Sequence, residues 1–450
     1  MENELPFELW LEILSYLPQG FHRRLIAVNR ALFEYALDEI YKKVELVHDD
    51  ENTLFTFTRL RNVDVAKRVQ RFVIRPTFLR DEITVPFQFQ QIGEPKSPER
   101  AKKRFSWFMK SKRSSCVDQL CETKTSSDIL LFTAQRTISL CSNIRELDII
   151  LNVRNSHLTS SFESFFRSLW QPGSILPRIR RLTIDASPYE LSHLVLPMHP
   201  FSHLWTNLED LDLTIHPYHE SLNLNHLLLS TFLDGLKNKL HSFTLSGLMD
   251  PYVADVLNAC PDFTRLSNFE LHSIFNIQNM QQVQQLNLFL EAHSKTLENI
   301  TLNPQIRTDS LNFSNYSYIH WLTFVGADHA RGQTFSQVSL PQLKNLELGY
   351  GYRWINGPVY HRVVFPDLKC ITPNLTTLTI IHTELSLDRV SELLPLLPRR
   401  NGVCSLEFLS LSIDILSPEL VDLLSVTLVG LRSLTLRLSR YVLPSDLEQV

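Results

Sequence analysis

The sequence predicts an α/β solenoid, with parallel strands stacked into a curved sheet, helices returning on the outside, and a short helical segment in front. Three observations carry this. A six-residue pattern (apolar, any two, apolar, any one, apolar) recurs along the chain. Its spacing of about 29 residues suits one strand-turn-helix unit and not a domain. At 450 residues, with 44% hydrophobic and 20% charged positions, the composition is ordinary but the chain is long for one compact core.

The chain begins MENELPFELWLEILSYLP. Leu5–Pro18 reads as a short helix entered through Pro6, whose missing N–H costs nothing in a first turn. Trp10, Ile13, Leu14 and Leu17 follow the i, i+3, i+4, i+7 spacing of one face, while Phe7 and Leu11 lie on another. A second helix over FHRRLIAVNRALFEYAL follows. So short a segment has too little core of its own. This predicts one apolar face packed on the rest of the chain and the other buried in a partner.

The pattern then starts at Tyr41 (YKKVEL) and Val69 (VQRFVI), and after a gap of 75 residues at Ile144 (IRELDI). It continues from Ile179, Leu208, Leu240, Leu266, Leu297, Ile319, Leu343, Leu375, Leu406 and Leu431. The apolar places point inward, and the second and fourth places after each start face outward on the concave side. Helical stretches Ser127–Cys141 and Met280–His293 stand before strands, as each unit requires. Pro177, Pro341 and Pro373 each lie two residues before a pattern start, where they close a loop without disturbing a helix. The period and the LxxLxL core resemble the leucine-rich repeat. Its usual Asn at the eighth place is met by Asn152, but Ser187, His216, Leu248, Ile274 and Gln305 stand at the corresponding places. The intervals run from 22 to 35 residues, so a degenerate array is expected.

The opening segment resembles the F-box motif. Leu5, Pro6, Glu8, Ile13, Leu14, Tyr16, Leu17, Leu25, Val28 and Arg30 match it, and Leu32 and Phe33 stand where a Trp is usual. F-box followed by degenerate repeats resembles the fungal-type F-box/leucine-rich-repeat proteins. That resemblance implies an F-box over residues 1–40 and a solenoid over 41–450. It implies a substrate-recognition subunit of an SCF-type (Skp-cullin-F-box) ubiquitin ligase. Leu5, Pro6, Glu8, Leu9, Trp10, Ile13, Leu14, Leu17, Leu25 and Val28 would bind a Skp-family adaptor and, through it, a cullin. The repeats would bind a protein substrate. The other reading is a leucine-rich-repeat tether whose F-box is vestigial or works without cullin.

Other classes find little footing. No phosphate-binding glycine loop, Gly-x-Ser-x-Gly elbow or His-Glu-x-x-His occurs, so no enzyme, metal or cofactor is expected. The net charge of −4 draws the chain to neither nucleic acid nor membrane, and no apolar run is long enough for a span. Six scattered cysteines and no secretory signal point to a reduced cytoplasmic or nuclear setting, in which the four Asn-x-Ser/Thr matches are coincidental. The gap, at about 78–126, holds a basic insertion. Its Lys96–Arg113 stretch has eight cations against Glu99, with Phe105, Trp107 and Phe108 interleaved. A solvated loop is the leading reading there, ahead of nuclear import, substrate contact or nucleic acid.

Substrate is expected on the concave face. Its outward places are mainly polar or acidic: Glu146, Asp148, Arg181, Asp210, Asp212, Asn268, Glu270, Asn345 and Glu347. Asp210 and Asp212 suit a basic partner. Trp321, Phe408 and a loop carrying Tyr350, Tyr352, Arg353, Trp354 and Tyr360 are the expected aromatic anchors.

Overall fold

The structure is a computed structural model that describes residues 9, 10, 12, 13, 16, 30–76, 126–151, 160–171, 175–198, 204–216, 226–247, 252–273, 280–303, 338–349, 365, 367–400 and 402–440. Within them, twelve strands form one sheet in strict chain order. They are β1 (Lys43–Leu46), β2 (Arg71–Ile74), β3 (Glu146–Ile150), β4 (Arg181–Ala186), β5 (Asp210–Ile215) and β6 (Ser242–Ser246). The sheet continues through β7 (Asn268–His272), β8 (Asn299–Leu302), β9 (Asn345–Gly349) and β10 (Thr377–Leu385). A two-residue hairpin, β11 (Arg399–Arg400) with β12 (Val403–Cys404), precedes the last two sheet strands, β13 (Phe408–Ile415) and β14 (Ser433–Arg440). Every neighbouring pair in the sheet is parallel.

The register is the one the pattern predicts. One inward column runs Val44, Phe72, Leu147, Leu182, Leu211, Phe243, Phe269, Ile300, Leu346, Leu378 and Leu409. Two residues on, Leu46, Ile74, Ile149, Ile184, Leu213, Leu245, Leu271, Leu302, Leu348, Ile380 and Leu411 form a second column, and both are buried. Strand and helix side chains join in one continuous apolar cluster. Helices Ser126–Ile138 and Met280–Ala292 lie where the sequence places them. On the helix side, aromatic rings link successive units. Trp170 stands 5.7 Å from Trp205, which stands 6.2 Å from Phe232. His293 is a buried tie: its Nε2 accepts from the Phe263 N–H at 2.9 Å, and Nδ1 lies 2.7 Å from the Phe289 carbonyl. Burial holds its pKa below the usual histidine value, consistent with a neutral ring.

One expectation changes. IHWLTF from Ile319 is not a rung between its neighbours in the sheet, because β8 pairs directly with β9. The residues of that segment lie outside those described. β2 pairs directly with β3 across the gap in the pattern, and Lys96–Arg113 lies outside the described residues.

Two local devices tie helices and successive units in place. Ser187 forms a capping box: its Oγ accepts from the Glu190 N–H at 3.2 Å, and Glu190 Oε2 accepts from the Ser187 N–H at 2.8 Å. This fixes the start of helix Pro188–Met198. Asparagines one place before a pattern start clamp adjacent units. The side chains of Asn143, Asn207 and Asn374 donate to the carbonyls of Lys67, Pro177 and Pro341, at 2.7, 2.5 and 2.8 Å.

Register is testable by placing one carboxylate on either face. Leu211 is 1% exposed, so Leu211→Asp strands a charge in the apolar column and should cost about 3–5 kcal/mol. Ser410→Asp, on an outward place, should stay within about 1 kcal/mol of the native chain. Urea unfolding followed by circular dichroism reads both, and equal midpoints would contradict the register.

Candidate functional site

The outward side chains form columns as regular as the inward ones. The first runs Lys43, Arg71, Glu146, Arg181, Asp210, Ser242, Asn268, Asn299, Asn345, Thr377, Phe408 and Ser433. Its chemistry changes along the sheet. At the N-terminal end, charges neutralise one another: Lys43 pairs with Glu45, and Arg71 reaches Asp148 (Nε to Oδ2, 2.7 Å) and Glu146 (3.6 Å). Asp148 is only 3% exposed, in place of the open outward carboxylate expected. Further along, Asn268, Asn299 and Asn345 form an amide ladder, each of the latter two donating to the one before. The bond between Asn299 and Asn345 spans 46 residues of chain and occupies the place expected for Trp321.

Between these regions lies a hollow of about 420 Å³. Nine outward side chains of β5, β6 and β7 make most of it, in three rows set by the register. The rows are Asp210, Ser242 and Asn268; Asp212, Thr244 and Glu270; and Thr214, Ser246 and His272. The middle strand carries only Ser, Thr and Ser, so it forms a low floor. The walls are the longer groups on either side, about 10 Å apart, which is twice the strand spacing. Arg181 on β4 completes the rim. Gly247 ends the floor at φ 74°, a conformation glycine adopts without strain, and its N–H donates to the His272 carbonyl at 2.9 Å.

The two walls differ electrostatically. Glu270 Oε2 lies 3.2 Å from His272 Nε2, and that hydrogen bond holds the Glu270 carboxyl below its ordinary pKa. His272 Nδ1 is buried with no hydrogen-bond partner. The Asp210 and Asp212 carboxylates take no hydrogen bond or ion pair within 4 Å among the described residues. Burial pushes both carboxyls above the usual aspartate range, while Arg181 pulls the other way. To one side, His216 Nε2 lies 2.7 Å from Asp185 Oδ1. Among the described residues no group of three His, Cys, Asp or Glu is placed to hold a metal ion. The hollow offers three carboxylates, one guanidinium and a hydroxyl floor, a chemistry of recognition.

The other expected site residues fall as follows. Phe408 stands on the concave column at 45% exposure, between Thr377 and Ser433. Trp321, Tyr350, Tyr352, Arg353, Trp354 and Tyr360 lie outside the described residues, so no aromatic cluster is assembled around Phe408 within them. Of the N-terminal set, Leu9, Trp10 and Ile13 are helical, with Leu9 43% and Ile13 42% exposed. Leu5, Pro6, Glu8, Leu14, Leu17, Leu25 and Val28 lie outside the described residues. Arg30–Tyr41 is a helix tied to the solenoid by Arg68, which bonds Glu34 and Asp38. The small-residue floor on β6 was missed in the sequence, although Ser242, Thr244 and Ser246 in LHSFTLS are its visible signal.

No protein-family model matches the chain, and no curated protein matches it. Among solved structures it is similar to a chain of the crystal structure of a TLR13–ssRNA13 complex, at 14% identity and a TM-score of 0.31. That match covers 86% of this chain and 36% of the other, so the chain spans about a third of its length. The solenoid assignment rests on strand order and register.

A carboxyl whose folded pKa lies above its unfolded value destabilises the fold when ionised. Asp212 therefore carries a penalty at neutral pH that fades as pH falls through its folded value and below the ordinary aspartate value of 3.8. The charged groups acting on it are Arg181, Glu270, His272 and Asp185. Asp212→Asn should raise stability at pH 7 by about 0.5 kcal/mol, a small figure because the group is partly solvated. The gain should shrink toward zero below about pH 4. Urea midpoints across pH check it, and a gain that grows on acidification would refute the sign.

Proposed function

We propose that this chain is the substrate-recognition subunit of an SCF-type ubiquitin ligase. It holds a Skp-family adaptor, and through it a cullin, with its N-terminal helices, and it presents a protein substrate on the concave face. It recruits and does not catalyse, and it works in the cytoplasm or nucleus. What supports the reading is the order of its parts. The F-box-like segment precedes a leucine-rich-repeat-like solenoid that leaves apolar side chains of that segment uncovered. Leu9, Ile13 and Tyr16 are 43%, 42% and 80% exposed, which a free-standing cap of the sheet would not require. At the other end of the division of labour, a rigid polar concave sheet with a defined hollow suits a recruited ligand.

The test is capture of a purified Skp-family adaptor by the full chain. Leu9→Asp with Ile13→Asp should weaken capture at least about a hundredfold, since anchor residues at an interface centre are worth about 2 kcal/mol or more each. The thermal unfolding midpoint should stay unchanged, because both side chains are open in the free chain. Adaptor capture with cullin assembled on it supports the ligase reading. Adaptor capture without cullin supports the tether, and unaltered capture by the folded double variant refutes the F-box assignment.

A further inference from the structure

The hollow over β6 has an internal imbalance that the fold does not explain. Three carboxylates, Asp210, Asp212 and Glu270, face one guanidinium, Arg181. Arg181 acts on all three through space, yet it forms no ion pair within 4 Å among the described residues. Elsewhere on the same face the chain does neutralise its charges. Arg71 answers Asp148 and Glu146, and Lys43 pairs with Glu45. The exception coincides with this hollow, and with a floor of three hydroxyls between taller walls. It also coincides with His272, whose Nδ1 is buried without a partner beside it. Charge, cavity and unsatisfied polar groups therefore meet at one place.

We propose that this hollow receives a cationic side chain, arginine or lysine, from an extended segment of the recruited protein. The proposal rests on the reading of the concave face as the recruiting surface and names the chemistry it selects. An inserted guanidinium or ammonium finds carboxylates on both walls. Its remaining N–H groups find the hydroxyl oxygens of Ser242, Thr244 and Ser246 on the floor. The small floor residues are what admit a long side chain, and the desolvated carboxylates of Asp210 and Asp212 gain the partner they lack. A bare metal ion is a poorer fit. Among the described residues no group of three His, Cys, Asp or Glu is placed to hold one. A neutral or acidic segment would leave the half-buried carboxylates of Asp210 and Asp212 unanswered.

The experiment titrates the full chain with fluorescein-labelled peptides of glycine and serine that differ only at the centre, which holds arginines, lysines or glutamines. Fluorescence anisotropy at low and physiological salt gives the affinities. The arginine and lysine peptides should bind at least about tenfold tighter than the glutamine peptide, with the preference reduced by salt. Asp210→Asn with Asp212→Asn should erase the preference. Thr244→Lys, which puts the chain's own cation over the floor, should do the same. Both variants should keep the native circular dichroism spectrum and melting point to within a few degrees. Equal affinity for the cationic and glutamine peptides, no binding of either, or a preference that survives in both folded variants would each overturn the proposal. Adaptor capture by the same proteins is the separate control. Its loss would count against the ligase reading, whereas intact capture with no cation preference would count only against the hollow.

Discussion

Everything in this molecule depends on one constraint: each parallel strand must stack in register on the one before it. A single strand with one or two apolar residues per face buries almost nothing. Stacked, Leu147, Leu182, Leu211, Phe243 and Phe269 form a continuous column in which each residue covers its neighbours. A shift of one residue would turn that column to solvent and the carboxylates of β5 inward. The register is thus held by the cost of error at every rung. Insertions are tolerated between rungs but not within them, which is why β2 can bond β3, and β8 can bond β9, across long excursions of chain.

The same constraint generates the site. Because inward places repeat, outward places repeat too, and residues far apart in sequence come to lie side by side. Asp212, Thr244 and Glu270 share a row only because β5, β6 and β7 are in register. The outward face has no packing duty, so it is free to vary from paired charges, to an open acidic hollow, to an amide ladder. The hollow keeps carboxylates that burial disfavours. Stability alone would have replaced them, and retention of such groups is usual where a protein binds something.

Much of the architecture was legible because the pattern is local and repeated many times. Twelve of the thirteen pattern matches became strands of the sheet in the expected phase, and the helices before β3 and β8 stand where their periodicity put them. IHWLTF shows the limit. It satisfies the template, but a template match states only that a segment has the right alternation, and the sheet has room for a rung only where two neighbours leave one. The asparagine clamps were not seen because their partners are carbonyls one repeat away, such as Pro341 for Asn374.

The order of residues is enough to set the repeat, its phase, and hence which face each strand residue takes. These follow from alternation and spacing, which are properties of the chain in order. Which repeats are adjacent, and therefore which outward residues meet, emerges only in the folded stack. The sequence shows Asp210 and Asp212 as acidic and Arg71 as basic, but not that Arg71 is spent on Asp148 while Arg181 stands beyond ion-pair distance of its carboxylates. Nor does it show that three small residues on β6 lie between taller neighbours. Electrostatic pairing and cavity shape depend on distances across strands, and those exist only once the stack has formed.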